Sequence, residues 1–511
     1  MDLDLTPVLI GAGQVTEKQD DVSLASSPMD LMQQAVWRAV DSAGFDRARM
    51  ADLDTIAVVK SLFEFTRNSP HTLAQRMGAN DARQWITPVG GNMPQYAVNR
   101  FAEDIANGRA KFVLLAATEA MATGRKIVKA GGKPDWREAA DTDPESLVFE
   151  RELCTPHEAL YDIWPARFVY PMFENALRGR YGHSIEEHQL AMGKLFARFS
   201  DVAADNPHAW YPIRRTAEEI ARPSAQNRFV SWPYTKFMNA MNQVNQSAAV
   251  IMTSRGFAKE LGVADDKMVY LHGCGDANEL WHVSERADYA TSPAIRAMGR
   301  QALEMAGRGV EEMDYIDIYA CFPVAVQMAR DELGIAVDDP RPLTITGGLP
   351  YHGGANAYVM NAIAAMVDKV RGNPGTFGIV TANGGYLTEH AAGIYSTEPS
   401  PIPKSGEAPW SREDPGIDQA KIDATPHPDL AEAANGAGVI ETYTVGFGRD
   451  NQPNKGIVIG RLGDGSDPNA TRFLANTPVD QDLFAAMTGE DFLGAPGKVS
   501  HQDGRNIFTP N

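Results

Sequence analysis

Ala43-Gly44-Phe45-Asp46-Arg47-Ala48-Arg49-Met50-Ala51-Asp52-Leu53-Asp54 and Ala306-Gly307-Arg308-Gly309-Val310-Glu311-Glu312-Met313-Asp314-Tyr315-Ile316-Asp317 read as two versions of one stretch. Ala-Gly, Met and Asp recur at a displacement of 263 residues (306 − 43, 313 − 50, 317 − 54), and Gly90-Gly91 recurs as Gly353-Gly354 at 353 − 90 = 263. A helix end, a strand, a diglycine and a second helix that match in order indicate duplication. Outward from the first copy, Pro28 to Gly44 carries Leu31, Ala35, Val36, Ala39 and Val40 at helical steps, between short strands at Thr6 to Gly13 and Asp54 to Val59. Pro94 opens a helix to Gly108, and Phe112 to Ala117 is an apolar strand. The order β-α-β-α-β, met twice, predicts two stacked α/β halves.

The 511 residues suffice for several domains, and 43% hydrophobic with 22% charged residues is ordinary globular composition. A net charge of −19 disfavours nucleic acid and anionic membrane partners. Cys154, Cys274 and Cys321 are too scattered for a disulfide framework, and the acidic opening and lack of a long apolar run fit neither a signal peptide nor a membrane span. A cytoplasmic location is expected.

The expected organisation is an N-terminal half over 1–120, a helical insertion over 121–250, a second half over 251–397, a linker over 398–437 and a β-barrel over 438–511. Gly438 to Phe447, Gly456 to Leu462, Arg472 to Ala475 and Arg505 to Phe508 are short strands between turn residues. With six Lys or Arg against nine Asp or Glu, Gly438–Asn511 suits a structural or interaction role better than nucleic acid binding. It is expected to be separable from the rest.

Chemistry is expected at glycine-rich strand ends. His352, in Gly347-Gly348-Leu349-Pro350-Tyr351-His352-Gly353-Gly354, precedes an apolar helix, where an imidazole and free N–H groups can stabilise negative charge or take a proton from a thiol. It can equally be a turn histidine bonded to a carbonyl. Cys321 follows the strand Tyr315 to Tyr319 and is either a proton-transfer or nucleophilic thiol or a small buried hydrophobe. Cys274, at another expected strand exit, reads as structural. Asn383, in Thr381-Ala382-Asn383-Gly384-Gly385, is an oxyanion donor or a turn residue, and His390 lines the same pocket or packs idly. Gly11-Ala12-Gly13 lacks the third glycine of a dinucleotide fingerprint, there is no Gly-x-Ser-x-Gly, and neither Cys154 with His157 nor His183 with His188 has convincing metal-ligand spacing.

These motifs together resemble the thiolase superfamily from about Thr6 to Ser396, nearest the sterol-carrier-type thiolases and thiolase-like proteins, some of which carry a C-terminal β-barrel. Met241-Asn242-Gln243-Val244-Asn245-Gln246-Ser247-Ala248-Ala249 is similar to the family's Asn-x-Ser-x-x-Asp-Gly-Ala-Ala, and Phe112 to Met121 to its strand ending in Glu-Ser-Met. The resemblance implies a duplicated thiolase-like fold of α-β-α-β-α layers with a helical loop-domain insertion and a small OB-like barrel. It implies that His352, matching Gly-His-Pro, activates a thiol and faces a cleft for a pantetheine-linked carbonyl, with Gly353 beside it. Tyr319-Ala320-Cys321-Phe322 matches Asn-Glu-Ala-Phe or His-Asp-Cys-Phe, placing Tyr319 at an oxyanion position and Cys321 at an acid/base position. Ala382-Asn383-Gly384 fills the Cys-x-Gly motif without its cysteine, and Gly90-Gly91 fills the nucleophile loop with no nucleophile. The implied function is acyl-CoA acyltransfer or carbon–carbon bond chemistry of non-standard kind, or non-catalytic binding of an acyl-CoA or lipid. Coenzyme A enters as a substrate, no tightly bound cofactor or metal is expected, and the chain is a homodimer or a monomer.

Overall fold

The structure, a computed structural model, describes residues 4–62, 66–399, 410–467 and 469–511. Ten strands form one ladder: β1 (Pro7–Thr16), β2 (Thr55–Val59), β3 (Arg83–Ile86), β4 (Phe112–Ala120), β5 (Glu145–Ser146), β6 (Asn245–Ser254), β7 (Val269–Asn278), β8 (Tyr315–Asp317), β9 (Phe377–Gly384) and β10 (Glu389–Ser396). Their order is β8-β9-β10-β7-β1-β6-β4-β2-β3-β5. In the ladder the halves are joined where β1 and β7 pair antiparallel through Val8↔Tyr270 and Leu9↔Val269. Within each half, parallel pairs (β2 with β4, β8 with β9) give way to antiparallel ones toward this seam. The helices Met93–Ala106 and Tyr358–Gly372 each touch strands of both halves, so the ladder folds around them. Pro28–Ala43 and Pro293–Ala306 cover the outer faces, which completes five α-β-α-β-α layers.

Glycine pairs bring each outer helix onto its strand. A Cβ on Gly11 or Gly13 would lie 2.4 or 2.3 Å from the carbonyl oxygen of Ala39 or Ala35; one on Gly273 or Gly275 would lie 2.0 or 2.3 Å from that of Ala302 or Met298. Gly-x-Gly is thus a packing device used once per half.

The duplication stands, but its single register does not. Gly44 and Gly307 are equivalent left-handed helix caps at 263 residues. Asp54, however, exchanges backbone and carboxylate hydrogen bonds with Phe112 as Asp314 does with Phe377, so its counterpart lies 314 − 54 = 260 residues on, not at Asp317. The intervening 3-10 turn has six residues in Arg47–Asp52 and three in Val310–Glu312, which accounts for the slip. Phe112 and Phe377, which open the next strands, are 377 − 112 = 265 apart.

The insertion contributes the helices Ala166–Tyr181 and Ile185–Ala204, the latter opened by a Ser184–Glu187 capping box, while β6 runs across the boundary expected at 250. The expected linker contains a helix, Gly416–Asp423, and a buried Trp410 whose indole donates to Leu271 O at 2.9 Å; its residues 400–409 lie outside the described residues. Cys274 sits within β7 rather than at its exit, paired with Gly393.

The C-terminal strands β11 (Gly436–Phe447), β12 (Pro453–Leu462), β13 (Arg472–Asn476), β14 (Pro496–Gln502) and β15 (Arg505–Pro510) close a barrel in the cycle β11-β12-β13-β15-β14-β11, with the helix Gln481–Gly489 between β13 and β14. It is built into the body. Strand Phe229–Trp232 pairs with β11, Thr442 Oγ1 donates to Met172 O, buried Arg472 donates to Ser284 O and Arg286 O, and Ile457, Ile459 and Leu474 join the large core of the two halves.

Candidate active site

A cavity of about 640 Å³ opens where the two halves, the insertion and the strand ends converge. Gly90, Gly91, Tyr319, Cys321, Asn383 and Gly384 line it together. Gly90 and Gly91 end the loop before the helix Met93–Ala106, whose first turn contains Pro94. Tyr319, Cys321 and Asn383 lie at or just beyond the carboxyl ends of β8 and β9, with Tyr319 N donating to Thr381 Oγ1 at 3.1 Å.

The cavity wall is close-packed at one point. A Cβ on Gly91 would fall 2.2 Å from Tyr319 Oη and 2.5 Å from Asn383 O, so the phenol occupies the space that a side chain there would need. Among the described residues the Tyr319 hydroxyl has no hydrogen-bond partner. Burial holds its pKa well above the ordinary phenol value, with further repulsion from Cys321. Burial pushes the Cys321 thiol up to about 12, so at neutral pH it is a proton donor, not a thiolate. Asn383 Nδ2 donates to Tyr170 Oη at 3.0 Å and approaches Cys321 Sγ at 3.8 Å, and its Oδ1 is buried without a partner.

His352 is not on this wall. Its N–H donates to Gly348 O at 2.7 Å, and its carbonyl accepts from Trp210 N and Gln246 Nε2, which pins the turn and leaves the ring inside. The ring is fully buried, edge-on to Tyr358, with Nδ1 3.2 Å from Gly353 O and Nε2 unpartnered. Burial pulls its pKa down to about 4. Gly353 is also off the wall, and its N–H is spent on Leu349 O. His390 lies behind Asn383 beside a separate small void, pulled by burial to about 3. The expectation of an imidazole and free N–H groups from His352 and Gly353 facing the cleft is therefore corrected: the turn consumes those N–H groups. Among the described residues, no cluster of three or more His, Cys, Asp or Glu side chains could hold a metal ion, and no helix is long and apolar enough to cross a membrane.

Residues 419–505 match the family model described as the thiolase-like protein type 1 additional C-terminal domain. The whole chain is similar to a monomeric SCP2-thiolase like protein type 1 from Mycobacterium smegmatis, at 35% identity, 100% coverage of both chains and a TM-score of 0.85. The chain belongs to the SCP2-thiolase-like proteins of type 1. An acetyl-CoA acetyltransferase of Methanothermobacter thermautotrophicus is 24% identical over 373 residues, 68% of this chain and 86% of that protein. An Ltp2-ChsH2(DUF35) aldolase shares the fold at 18% identity and a TM-score of 0.59, covering 78% of this chain and 100% of that one.

In this thiolase-like chain several cavity groups escaped the sequence reading. Tyr170 stacks on Phe322 with ring centroids 4.5 Å apart and links Asn383 to Gly385 O. Arg167 and Lys236 are exposed on the lining, with no ion pair among the described residues. All three come from the insertion, whose aromatic and basic content carries no spacing signal. Glu119, off the cavity lining, is fully buried and accepts from Ser61 Oγ and Leu62 N; burial pushes its pKa up to about 7. Glu389, pushed by burial to about 7, lines a hollow of about 330 Å³ that shares Val89, Leu153 and Tyr386 with the main cavity.

Proposed function

We propose that the chain binds a coenzyme A thioester in the 640 Å³ cavity and acts on its carbonyl without forming an acyl-enzyme. The observation that carries this reading is the contact between Gly91 and Tyr319: where a thiolase-like loop would present a nucleophile, a phenol fills the space. Covalent acyl transfer needs a nucleophile and a base beside it. Here the cavity offers two proton donors, Tyr319 and Cys321, suited to polarising a carbonyl oxygen as charge develops on it. That chemistry serves direct acyl transfer to a second bound substrate or the making and breaking of a carbon–carbon bond. The relatives named for acetyl-CoA acetyltransfer and for an aldolase support both directions. Arg167 and Lys236 suit the phosphates of coenzyme A, which enters as a substrate. The barrel, whose strand cycle and helix placement are of the OB kind, serves as a structural and interaction module, and the monomeric Mycobacterium smegmatis relative supports a monomer.

Incubation with acetoacetyl-CoA and free coenzyme A, whose thiol takes the acetyl group as the carbon–carbon bond breaks, should yield two acetyl-CoA with no change in the protein's intact mass. Tyr319→Phe should lower that rate by about a hundredfold or more while preserving the melting temperature. A stable acyl adduct on Cys321 would overturn the non-covalent mechanism. A non-catalytic acyl-CoA binder is the second reading, favoured by the exclusion of His352 from the wall; binding without any turnover would select it.

A further inference from the structure

The insertion holds a second cavity, of about 370 Å³, that shares no wall residue with the first. The helices Ala166–Tyr181, Ile185–Ala204 and Pro323–Glu332 all contribute to it. Behind its wall stands a built polar cluster. The fully buried carboxylate of Glu174 accepts from Tyr234 Oη at 2.6 Å and Gln327 Nε2 at 2.8 Å, and lies 2.6 Å from His188 Nε2. Two fixed donors and a ring nitrogen thus converge on one buried carboxyl group. His188 Nδ1 lies 3.2 Å from Nδ1 of His183, within hydrogen-bond distance. His183 precedes its helix, so their five-residue separation does not keep them apart.

The series runs from carboxylate through a buried imidazole to a half-buried one, and the last ring, His183, is on the cavity wall. The buried Glu174 orients His188, and His188 in turn orients the His183 ring at the wall. Nearby cations differ in how far they are committed. Arg330 is engaged by Asp331 and Tyr181, and Arg198 by the carbonyls of Asp339, Pro340 and Arg341. Lys194 is exposed on the wall with no ion pair or hydrogen-bond partner among the described residues. Apolar surface completes the hollow through Leu195 and Val337, the latter 74% exposed.

We propose that this cavity binds a small carboxylic acid with an apolar body, its carboxylate between Lys194 and His183 and its hydrocarbon against Leu195 and Val337. The charge of Lys194 and the apolar wall together set the class: an inorganic anion leaves the wall uncovered, and a neutral lipid leaves Lys194 without a partner.

The test is calorimetric titration of the full-length protein with sodium octanoate, with 1-octanol as the uncharged comparison. Octanoate should bind at one site, and octanol at least about tenfold more weakly. Lys194→Gln, at an exposed position, should weaken octanoate about three- to fivefold with the melting temperature unchanged, and His183→Gln by a similar factor. The proposal is overturned if the wild-type protein does not bind octanoate, if octanol binds equally well, or if Lys194→Gln binds octanoate as the wild type does, which would place the ligand elsewhere.

Discussion

The two diglycine loops occupy comparable places, each leading into a central helix, yet they do opposite things. Gly90-Gly91 lies on the cavity wall, and its missing side chain is the space taken by the Tyr319 phenol. Gly353-Gly354 lies off that wall with φ of +84° and +119°, packed on Val244 and Tyr358. The first pair shapes a site; the second lets the chain turn tightly under the Trp210 segment. The two pairs match in sequence but not in backbone, since only Gly353 and Gly354 take positive φ, so what each does is decided by its own conformation and by the residue opposite. His352, on the second loop, faces inward for the same reason that its neighbours are glycines: the turn is buried.

The largest effect expected from breaking this contrast is Gly353→Ala. A Cβ there adopts a left-handed backbone and meets Val244 Cγ1 at 2.5 Å, so a loss of about 3 kcal/mol is expected, from ~1–2 for the backbone and ~1–3 for overpacking. Gly91→Ala has no positive φ to sustain; it should lose less stability but more thioester affinity, because Tyr319 and Asn383 must give way. Urea midpoints paired with coenzyme A thioester titrations separate the two, and equal profiles would erase the distinction between the loops.

A nearly equal effect is expected from acid. Burial holds His352 at about 4 when folded, against about 6.5 when unfolded, so below pH 6.5 the unfolded chain takes up a proton that the folded one refuses. Stability is then lost as pH falls from about 6.5 to about 4, by roughly 3 kcal/mol for this group. His352→Leu should retain that amount when urea unfolding at pH 7.5 and pH 4.5 is compared with the wild type. If both lose stability in parallel, the ring is protonated in the folded state and reaches solvent or the cavity after all. Turnover in His352→Leu should change far less than in Tyr319→Phe.

What could be read beforehand follows from what each signal depends on. Apolar residues at helical steps located Pro28–Ala43 and Tyr358–Gly372 because their buried faces repeat along the chain, and Pro94 marked the start of Met93–Ala106. The strand-end motifs found Cys321 and Asn383 because parallel strands deliver their carboxyl ends to one place, and the family resemblance added Tyr319 and Gly91. Side-chain direction is not periodic, so the same reasoning could not tell that His352 turns inward while Tyr319 reaches the loop. Nor could it show that Arg472, read only as part of a short barrel strand, would bury itself against Ser284 and Arg286 and tie the barrel to the body. That contact, with Ile457, Ile459 and Leu474 in the shared core, argues that a chain ending before Gly436 exposes core surface and aggregates, contrary to the separable barrel expected from composition.

The smallest effect lies at the cavity mouth, where the comparison is sharpened by charge. Arg167 and Lys236 are exposed cations without an ion pair among the described residues, on a chain of net charge −19, whereas the turn of His352 is sealed from solvent. If they receive the phosphates of coenzyme A, each should contribute at most about 1 kcal/mol, because exposed charges are hydrated and screened. Arg167→Ala or Lys236→Ala should therefore weaken a thioester about three- to fivefold at low salt, and the difference should shrink as ionic strength rises. Replacing coenzyme A by pantetheine in the thioester should remove the difference altogether, since the phosphates are gone while the carbonyl and its tether remain. A variant that weakens both ligands alike would show that these side chains shape the mouth rather than hold charge, and the thioester would then have to enter past Tyr386 and the hollow beside Glu389.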